Sequence, residues 1–319
     1  MSSDYLVLDK TSEIYKFSDL NKENLKIIDS SLVELSRPKK ILKLAFLSFI
    51  RLFSSTASRY IHSTIYNDLK INKNFSKSIK IIKKGDSVVF INPTICIINE
   101  ILNLKKMGTD LSIFFADPVT RCGFHNKEIS TLKENKIKLF SYSKMEQKKY
   151  KISFIPCFVP KRIKRISYKY DAVYVGSFSF FRLYYYFQLK LFGILNKKKI
   201  LFLLVMNSKV LRFLMFNLFS EKVDPNKYLD LCSKSKAIID ITEPDADGWN
   251  PRIAIAYELD SVLISNKNYF KGCVQINSHS AINKSLDKNR SPWSEVNILN
   301  FLDWFELIKK ENFSIGGEK

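Results

Sequence analysis

Residues 236–266 read KAIIDITEPDADGWNPRIAIAYELDSVLISN, and this stretch decides the fold. Ala237 to Ile241 is a short, mostly apolar run with three isoleucines and reads as a strand. The loop Thr242 to Asn250 carries Glu243, Asp245, Asp247 and Gly248. Asn250 is placed to cap a helix and Pro251 to occupy its first position, where a missing N–H costs nothing. The helix is predicted to run to about Leu259, and Val262 to Ser265 forms a second buried strand. A βαβ unit of this kind implies a parallel sheet with helices on its faces. Ligands of such sheets bind beyond the carboxyl ends of the strands. The acidic loop, the helix N-terminus and Arg252 all belong to that end.

Outward from this unit, strand–helix alternation continues in both directions. Upstream, Asp171 to Gly176 reads as a strand and Phe180 to Gly193 as an aromatic helix whose Tyr and Phe stripe is predicted to be core. Lys199 to Val205 is a strand, Lys209 to Phe219 a basic apolar helix, and Pro225 to Cys232 a short helix. Gly176-Ser177 lies between strand and helix. It is either a tight turn or a place where backbone amides approach a phosphate. Downstream, Asn268 to Pro292 reads as loop and Trp293 to Lys310 as an amphipathic helix. In the first half, strands are predicted at Tyr5–Asp9, Leu25–Asp29, Ser87–Asn92, Leu111–Ala116, Ile137–Phe140 and Ile152–Ile155. A helix is expected over Pro93–Lys106, and a surface helix with loop over Lys70–Lys84. Pro156, Pro160 and the run KRIKRISYK (Lys161 to Lys169) read as an exposed linker. The expected organisation is therefore α/β, with Rossmann-like domains at 1–160 and 170–292 and a terminal helix in 293–319.

The 319 residues suit two domains, and 46% hydrophobic content supplies real cores. Lys and Arg outnumber Asp and Glu by 52 to 31, a formal net charge of +21. The excess either points to a polyanionic partner (nucleotide-sugar phosphates, anionic lipid or nucleic acid) or reflects a composition rich in Lys, Ile, Asn and Phe. No nucleic-acid motif accompanies the charge, and the acidic loop at the strand ends argues against that partner. Five cysteines, never spaced C-x-x-C, fit buried thiols in a reducing compartment. Three scattered histidines make no metal cluster, so no metal is expected. MSSDYLVLDK has no basic and apolar leader pattern, and no apolar run approaches the roughly 20 residues of a membrane span. The expectation is a cytoplasmic protein, peripheral on the inner membrane. Ser36 to His62 (SRPKKILKLAFLSFIRLFSSTASRYIH) carries that membrane expectation. Basic and apolar almost all round, it is either a buried helix of the first domain or a helix lying in an anionic membrane surface.

Four segments, in order, resemble GT-B glycosyltransferases of bacterial lipopolysaccharide and capsule gene clusters. LSIFFADPVTR (Leu111 to Arg121) resembles their aromatic strand ending in Asp-Pro or Asp-Ser. IKLFSYSKMEQKKYKISFIPCFVP (Ile137 to Pro160) resembles the segment that closes their first domain. YDAVYVGSFSFFR (Tyr170 to Arg182) resembles their D-x-x-F-x-G-S-x-x-x-x-R opening of the second. Gly248-x-x-x-Arg252, between an acidic loop and an apolar strand, resembles their donor-binding segment. The resemblance covers about Asp86 to Asn266. It implies two Rossmann-like domains facing each other across a cleft, the terminal helix crossing back to the first. It also implies transfer from a nucleotide-sugar donor to a lipid-linked or lipopolysaccharide acceptor without a bound metal or other cofactor. The family's donor helix usually carries a Glu three residues after the Arg, and here that position is Ile255. Glu258, one turn on, either replaces it or is a solvated helix residue.

Transfer of a glycosyl group needs cations or amides on the leaving diphosphate and, for inversion, a base for the acceptor hydroxyl. Arg252 is the first candidate for the diphosphate, as a planar fork. Asn250, Gly248, Gly176, Ser177 and Arg182 are candidates to shape the donor site, with Glu243, Asp247 and Glu258 for sugar and ribose hydroxyls. Asp117, at a strand end of the first domain, is the candidate base; the alternative is an Asp-Pro turn that merely ends the strand. Two competing readings stay open: a non-enzymatic basic protein binding membrane or nucleic acid, and a GT-B fold that has lost catalysis.

Overall fold

A computed structural model of the chain describes residues 3–9, 25–31, 73–158, 163–205, 220, 223–244, 247–287, 293 and 296–310. The predicted helices Ser36–His62 and Lys209–Phe219, and Asp245 of the acidic loop, lie outside the described residues. The chain divides into two compact units, 1–158 with 299–319, and 159–298.

The first unit holds a six-stranded sheet of β1 (Asp4–Leu8), β2 (Leu25–Asp29), β3 (Ser87–Ile91), β4 (Asp110–Phe115), β5 (Lys138–Ser141) and β6 (Ser153–Phe154). The order is β2-β1-β3-β4-β5-β6, parallel throughout. Its helices α1 (Lys73–Ser78), α2 (Ile98–Lys106), α3 (Asn126–Glu134) and α4 (Lys144–Tyr150) connect the strands. Successive side chains of a strand point to opposite faces, and both faces here are covered. Val88, Phe90, Ile113 and Phe115 meet Phe75, Ile101, Leu104, Ile129 and Leu132 on one side. Val89, Ile91 and Phe114 join the other core. That double burial is why the strands read as unbroken apolar runs. The 70–84 stretch is more than surface: Phe75, Ile79 and Ile82 are buried among its lysines.

The second unit holds β7 (Tyr170–Ser177), α5 (Phe180–Leu195), β8 (Ile200–Val205), α6 (Pro225–Ser233), β9 (Ser235–Asp240), α7 (Pro251–Glu258), β10 (Val262–Ser265), β11 (Val274–Gln275) and α8 (His279–Leu286). The sheet order is β11-β10-β9-β7-β8, again parallel. Asn250 caps α7 by accepting from the Arg252 N–H at 2.8 Å, with Pro251 next. The predicted loop 268–292 instead contains β11 and α8. Only Ile282 and Leu286 of α8 are buried, one turn apart, too short a pattern to stand out in sequence.

A last helix, α9 (Phe301–Lys309), belongs to the first unit, where Phe301, Trp304, Phe305 and Ile308 fill the core beside Phe114. It is shorter than the predicted 293–310. Asn300 starts it, its side chain accepting from the Asp303 N–H at 3.0 Å. Ser112 donates to the Ile308 carbonyl at 3.1 Å and Lys309 reaches Asp4 at 2.9 Å, tying the helix end to β4 and β1.

Two other expectations are refined. Residues 164 and 166–169 of the predicted linker are exposed. Arg165, within the predicted exposed linker, donates to Ser261 Oγ at 2.9 Å and to the Leu259 carbonyl, so it pins that segment to the start of β10. The α5 stripe splits. Tyr185, Leu189, Phe192 and Gly193 are buried, whereas Phe180, Tyr184, Phe187, Leu191, Ile194 and Leu195 lie 49%, 62%, 57%, 57%, 74% and 72% exposed. The sequence reading as core holds for one face only, because an all-round apolar helix does not reveal which face the sheet takes.

Candidate functional site

In the second unit, β7 leads through α5 to β8 on one side, while β9 lies on the other side of β7. The connections after β7 and β9 therefore leave in opposite directions, and a crevice forms between their carboxyl ends. Helices α5 and α7, which follow these two strands, start at that end and add partial positive charge there.

The centre is Asp240, the last residue of β9 and fully buried. Its Oδ1 accepts from Asn250 Nδ2 at 2.9 Å and Arg252 Nη1 at 3.3 Å. Its Oδ2 accepts from Thr242 Oγ1 at 2.8 Å and the Tyr269 hydroxyl at 2.9 Å. A buried carboxylate is stable only when so satisfied. Burial, with the Asp240 charge beside it, pushes the Tyr269 phenol well above its usual range, so it stays a donor.

Arg252 spans the crevice. Besides Asp240 on β9, its Nη2 donates to the Val175 carbonyl of β7 at 3.2 Å, and its side chain remains 25% exposed. Its guanidinium lies 5.6 Å from the Tyr174 ring centroid. Tyr174 is buried and stacks on Phe202 at 4.3 Å. A Cβ at Gly176 would sit 2.2 Å from the Tyr174 hydroxyl oxygen, so glycine here makes room for the phenol. Burial raises the Tyr174 pKa, against the pull of Arg182 and Arg252.

From α5, Arg182 turns back to the same edge. Its Nη1 donates to the Ser177 carbonyl at 2.9 Å and to the Ser177 hydroxyl, and its Nε lies 3.8 Å from Glu243 Oε1. Ser179, the cap of α5, also donates to Glu243, at 3.2 Å. Among the described residues, the Tyr174 hydroxyl and Arg182 Nε are both buried without a hydrogen-bond partner. Two donors so held are a polar lining that a ligand acceptor can satisfy.

The fold thus brings Gly176, Ser177, Arg182, Glu243, Asn250 and Arg252 to one strand edge. Gly248 is buried and Asp247 half-buried in the segment leading to Asn250. Asn266 fixes the start of that loop, exchanging hydrogen bonds of 2.9 and 2.7 Å with the Thr242 backbone. Glu258 is not brought in: it ends α7, six residues and roughly 9 Å along the axis from Arg252. Ile255 is fully buried in the core. The sequence reading missed Asp240, Tyr174 and Tyr269. A carboxylate closing an otherwise apolar strand was the available signal for Asp240. Arg252 pairs with Asp240 at 3.3 Å.

Asp117 lies in the first unit, just beyond β4. Asn92 follows β3 with φ +49°, a backbone Asn tolerates, and its Oδ1 accepts from the Ala116 and Asp117 N–H groups at 2.7 and 3.0 Å. Asp117 Oδ2 accepts from Asn92 Nδ2 at 3.1 Å, and Oδ1 from Arg121 at 2.9 Å. The carboxylate is 41% exposed, at once a turn anchor and accessible.

Among the described residues, no group of three or more His, Cys, Asp or Glu side chains could hold a metal ion. None of the described helices is long and apolar enough to cross a membrane. No protein-family model matches the chain, and a search of curated proteins returns no match.

Proposed function

We propose that the chain is a GT-B-type glycosyltransferase whose second unit binds a nucleotide-sugar donor. One observation carries this reading: Arg252 and Arg182 meet at the β7/β9 switch point, beside the starts of α5 and α7. That arrangement suits a diphosphate. Two guanidinium groups and two helix ends supply positive charge where a leaving nucleotide gains negative charge. Asp240 holds Arg252 in place, so the fork is positioned before the ligand arrives. Tyr174 and Arg182 Nε offer further donors to phosphate or ribose oxygens. Glu243 and Asp247 are the candidates to contact sugar hydroxyls. In this reading Asp117 is the base for the acceptor hydroxyl, and the acceptor is a lipid-linked or lipopolysaccharide-type glycan.

A specific observation favours a second reading. The position at which the resembling family carries its ribose-binding Glu is the buried Ile255, and Glu258 lies at the far end of α7. A fold that binds a nucleotide without transferring sugar fits that change. Calorimetry with UDP-, GDP- and CMP-sugars, followed by a turnover assay on whichever binds, separates the two. Binding with sugar release or transfer supports the enzyme, and binding alone supports the degenerate fold. Flat traces for all donors with tight oligonucleotide binding would favour a basic nucleic-acid protein instead.

A further inference from the structure

Helix α5 has a buried face against the sheet and an opposite face that is apolar from end to end. Phe180, Tyr184, Phe187, Leu191 and Ile194 or Leu195 recur at the three- and four-residue spacing that puts them on one stripe, and every one is about half exposed or more. A stripe this long on a surface helix marks an interaction site. Its charge environment identifies the partner. From Phe180 to Lys199 the chain carries Arg182, Lys190, Lys197, Lys198 and Lys199 and no acidic residue. Lys190, Lys197, Lys198 and Lys199 line an open depression with Gly193, Ile194 and Ile200 at the helix end. Among the described residues, Lys198 is the lysine of this depression whose ammonium meets a carboxylate, Asp287 at 2.7 Å.

We propose that this face of α5 docks on an anionic bilayer, its aromatic and aliphatic side chains entering the interface and the lysine depression taking lipid phosphate. The physical logic is that of an interfacial helix: apolar area and cations act together, and aromatic rings favour the headgroup level. A second copy of the chain fits less well, because a self-contact through this patch brings the lysines of two copies together, and Asp287 beside Lys198 offsets only part of that charge. A nucleic acid fits less well too, since Leu191, Ile194 and Leu195 have no use on a phosphate backbone. The residues that carry the proposal are other than Ser36–His62, and the proposal does not rest on glycosyl transfer.

The test is co-sedimentation of the full chain with phosphatidylcholine vesicles, with and without phosphatidylglycerol. Binding is expected only with the anionic lipid and should weaken with salt. Leu191→Glu with Ile194→Glu, and separately Lys190→Gln with Lys197→Gln, should each reduce partitioning about tenfold or more. Leu191, Ile194 and Lys197 are exposed and Lys190 is half-buried, none of them in the switch-point cluster, so unchanged circular dichroism and nucleotide affinity are expected alongside. Equal binding to neutral vesicles, or full retention by both α5 variants while Lys39→Glu, Lys40→Glu, Lys43→Glu abolishes it, would overturn the proposal. So would a wild-type dimer that the Leu191/Ile194 variant dissociates, with no vesicle binding by either protein.

Discussion

Asp117 and Asp240 both stand at the carboxyl end of a strand in a parallel sheet, each in its own unit. Asp117 is 41% exposed and is held by one amide and one guanidinium. Asp240 is fully buried and takes hydrogen bonds from Asn250, Arg252, Thr242 and Tyr269. The difference lies in what each carboxylate is able to do. One is accessible to a reacting molecule and weakly tied. The other is spent on positioning its neighbours, and Arg252 faces the crevice because Asp240 holds it from behind.

The sharpest way to break this contrast is Asp240→Ala. It leaves Arg252, Asn250, Thr242 and Tyr269 without their shared acceptor, and a loss of about 3–5 kcal/mol in unfolding free energy is expected. Denaturant titration checks it; a loss under about 1 kcal/mol would mean the network is not cooperative. Arg252→Ala comes next. Three donors to Asp240 remain, so about 2–4 kcal/mol is expected, with donor affinity falling at least about tenfold. This differs from the outcome expected of an Arg that merely faces a cleft, for which stability would be unchanged. Arg252→Lys should recover part of the stability and little of the affinity, since a point cation cannot span β7 and β9.

Asp117→Asn should behave in the opposite way. Its exposed ion pair with Arg121 is worth about 0–1 kcal/mol, and the amide can still accept from Asn92. Stability should hardly move, while turnover with a bound donor falls roughly 10²–10⁴-fold if Asp117 takes the acceptor proton. Unchanged turnover would reduce Asp117 to a turn anchor.

The smallest effect concerns acid. Burial alone would raise the Asp86 pKa, but the Ser3 and Lys83 N–H groups and nearby lysines outweigh it and hold the group below its ordinary value. Asp171 is lowered in the same manner, burial being outweighed by the Lys199 N–H and the Lys236 ammonium. A carboxylate lowered in the folded state stabilises above its unfolded pKa of about 3.9, and that stability is lost as pH falls through the folded value. Melting temperature should therefore decline as the pH drops below about 4, and Asp86→Asn and Asp171→Asn should each flatten the decline. An identical slope in both variants would assign acid sensitivity elsewhere.

How far the sequence carried the reading depends on the kind of residue. The βαβ unit around Arg252 was legible because Asn250, Pro251 and the apolar runs beside them are local signals. Strands such as Ser87–Ile91 were legible because burial on both faces leaves a continuous apolar run. Helix α8 was not, since its two buried side chains are lost among polar ones. Asp240 was passed over because its partners come from positions 242, 250, 252 and 269, and only the fold brings a tyrosine 29 residues away onto the same oxygen as Thr242. The exposure of α5 was hidden for the converse reason. A residue type tells how apolar a face is, and the sheet alone decides which face it covers.

Arg182 tests the central claim most directly, because it lines the switch point without being the partner of Asp240. The measurement is calorimetric titration of the wild-type chain and Arg182→Gln with UDP-, GDP- and CMP-sugars, each protein's melting temperature being recorded alongside. One donor class should bind the wild type, binding should weaken with salt, and Arg182→Gln should lower affinity about tenfold or more, with a fall in melting temperature from the loss of its Ser177 and Glu243 contacts. Flat titrations of the wild type with every donor, or equal affinity in the variant, would contradict the claim.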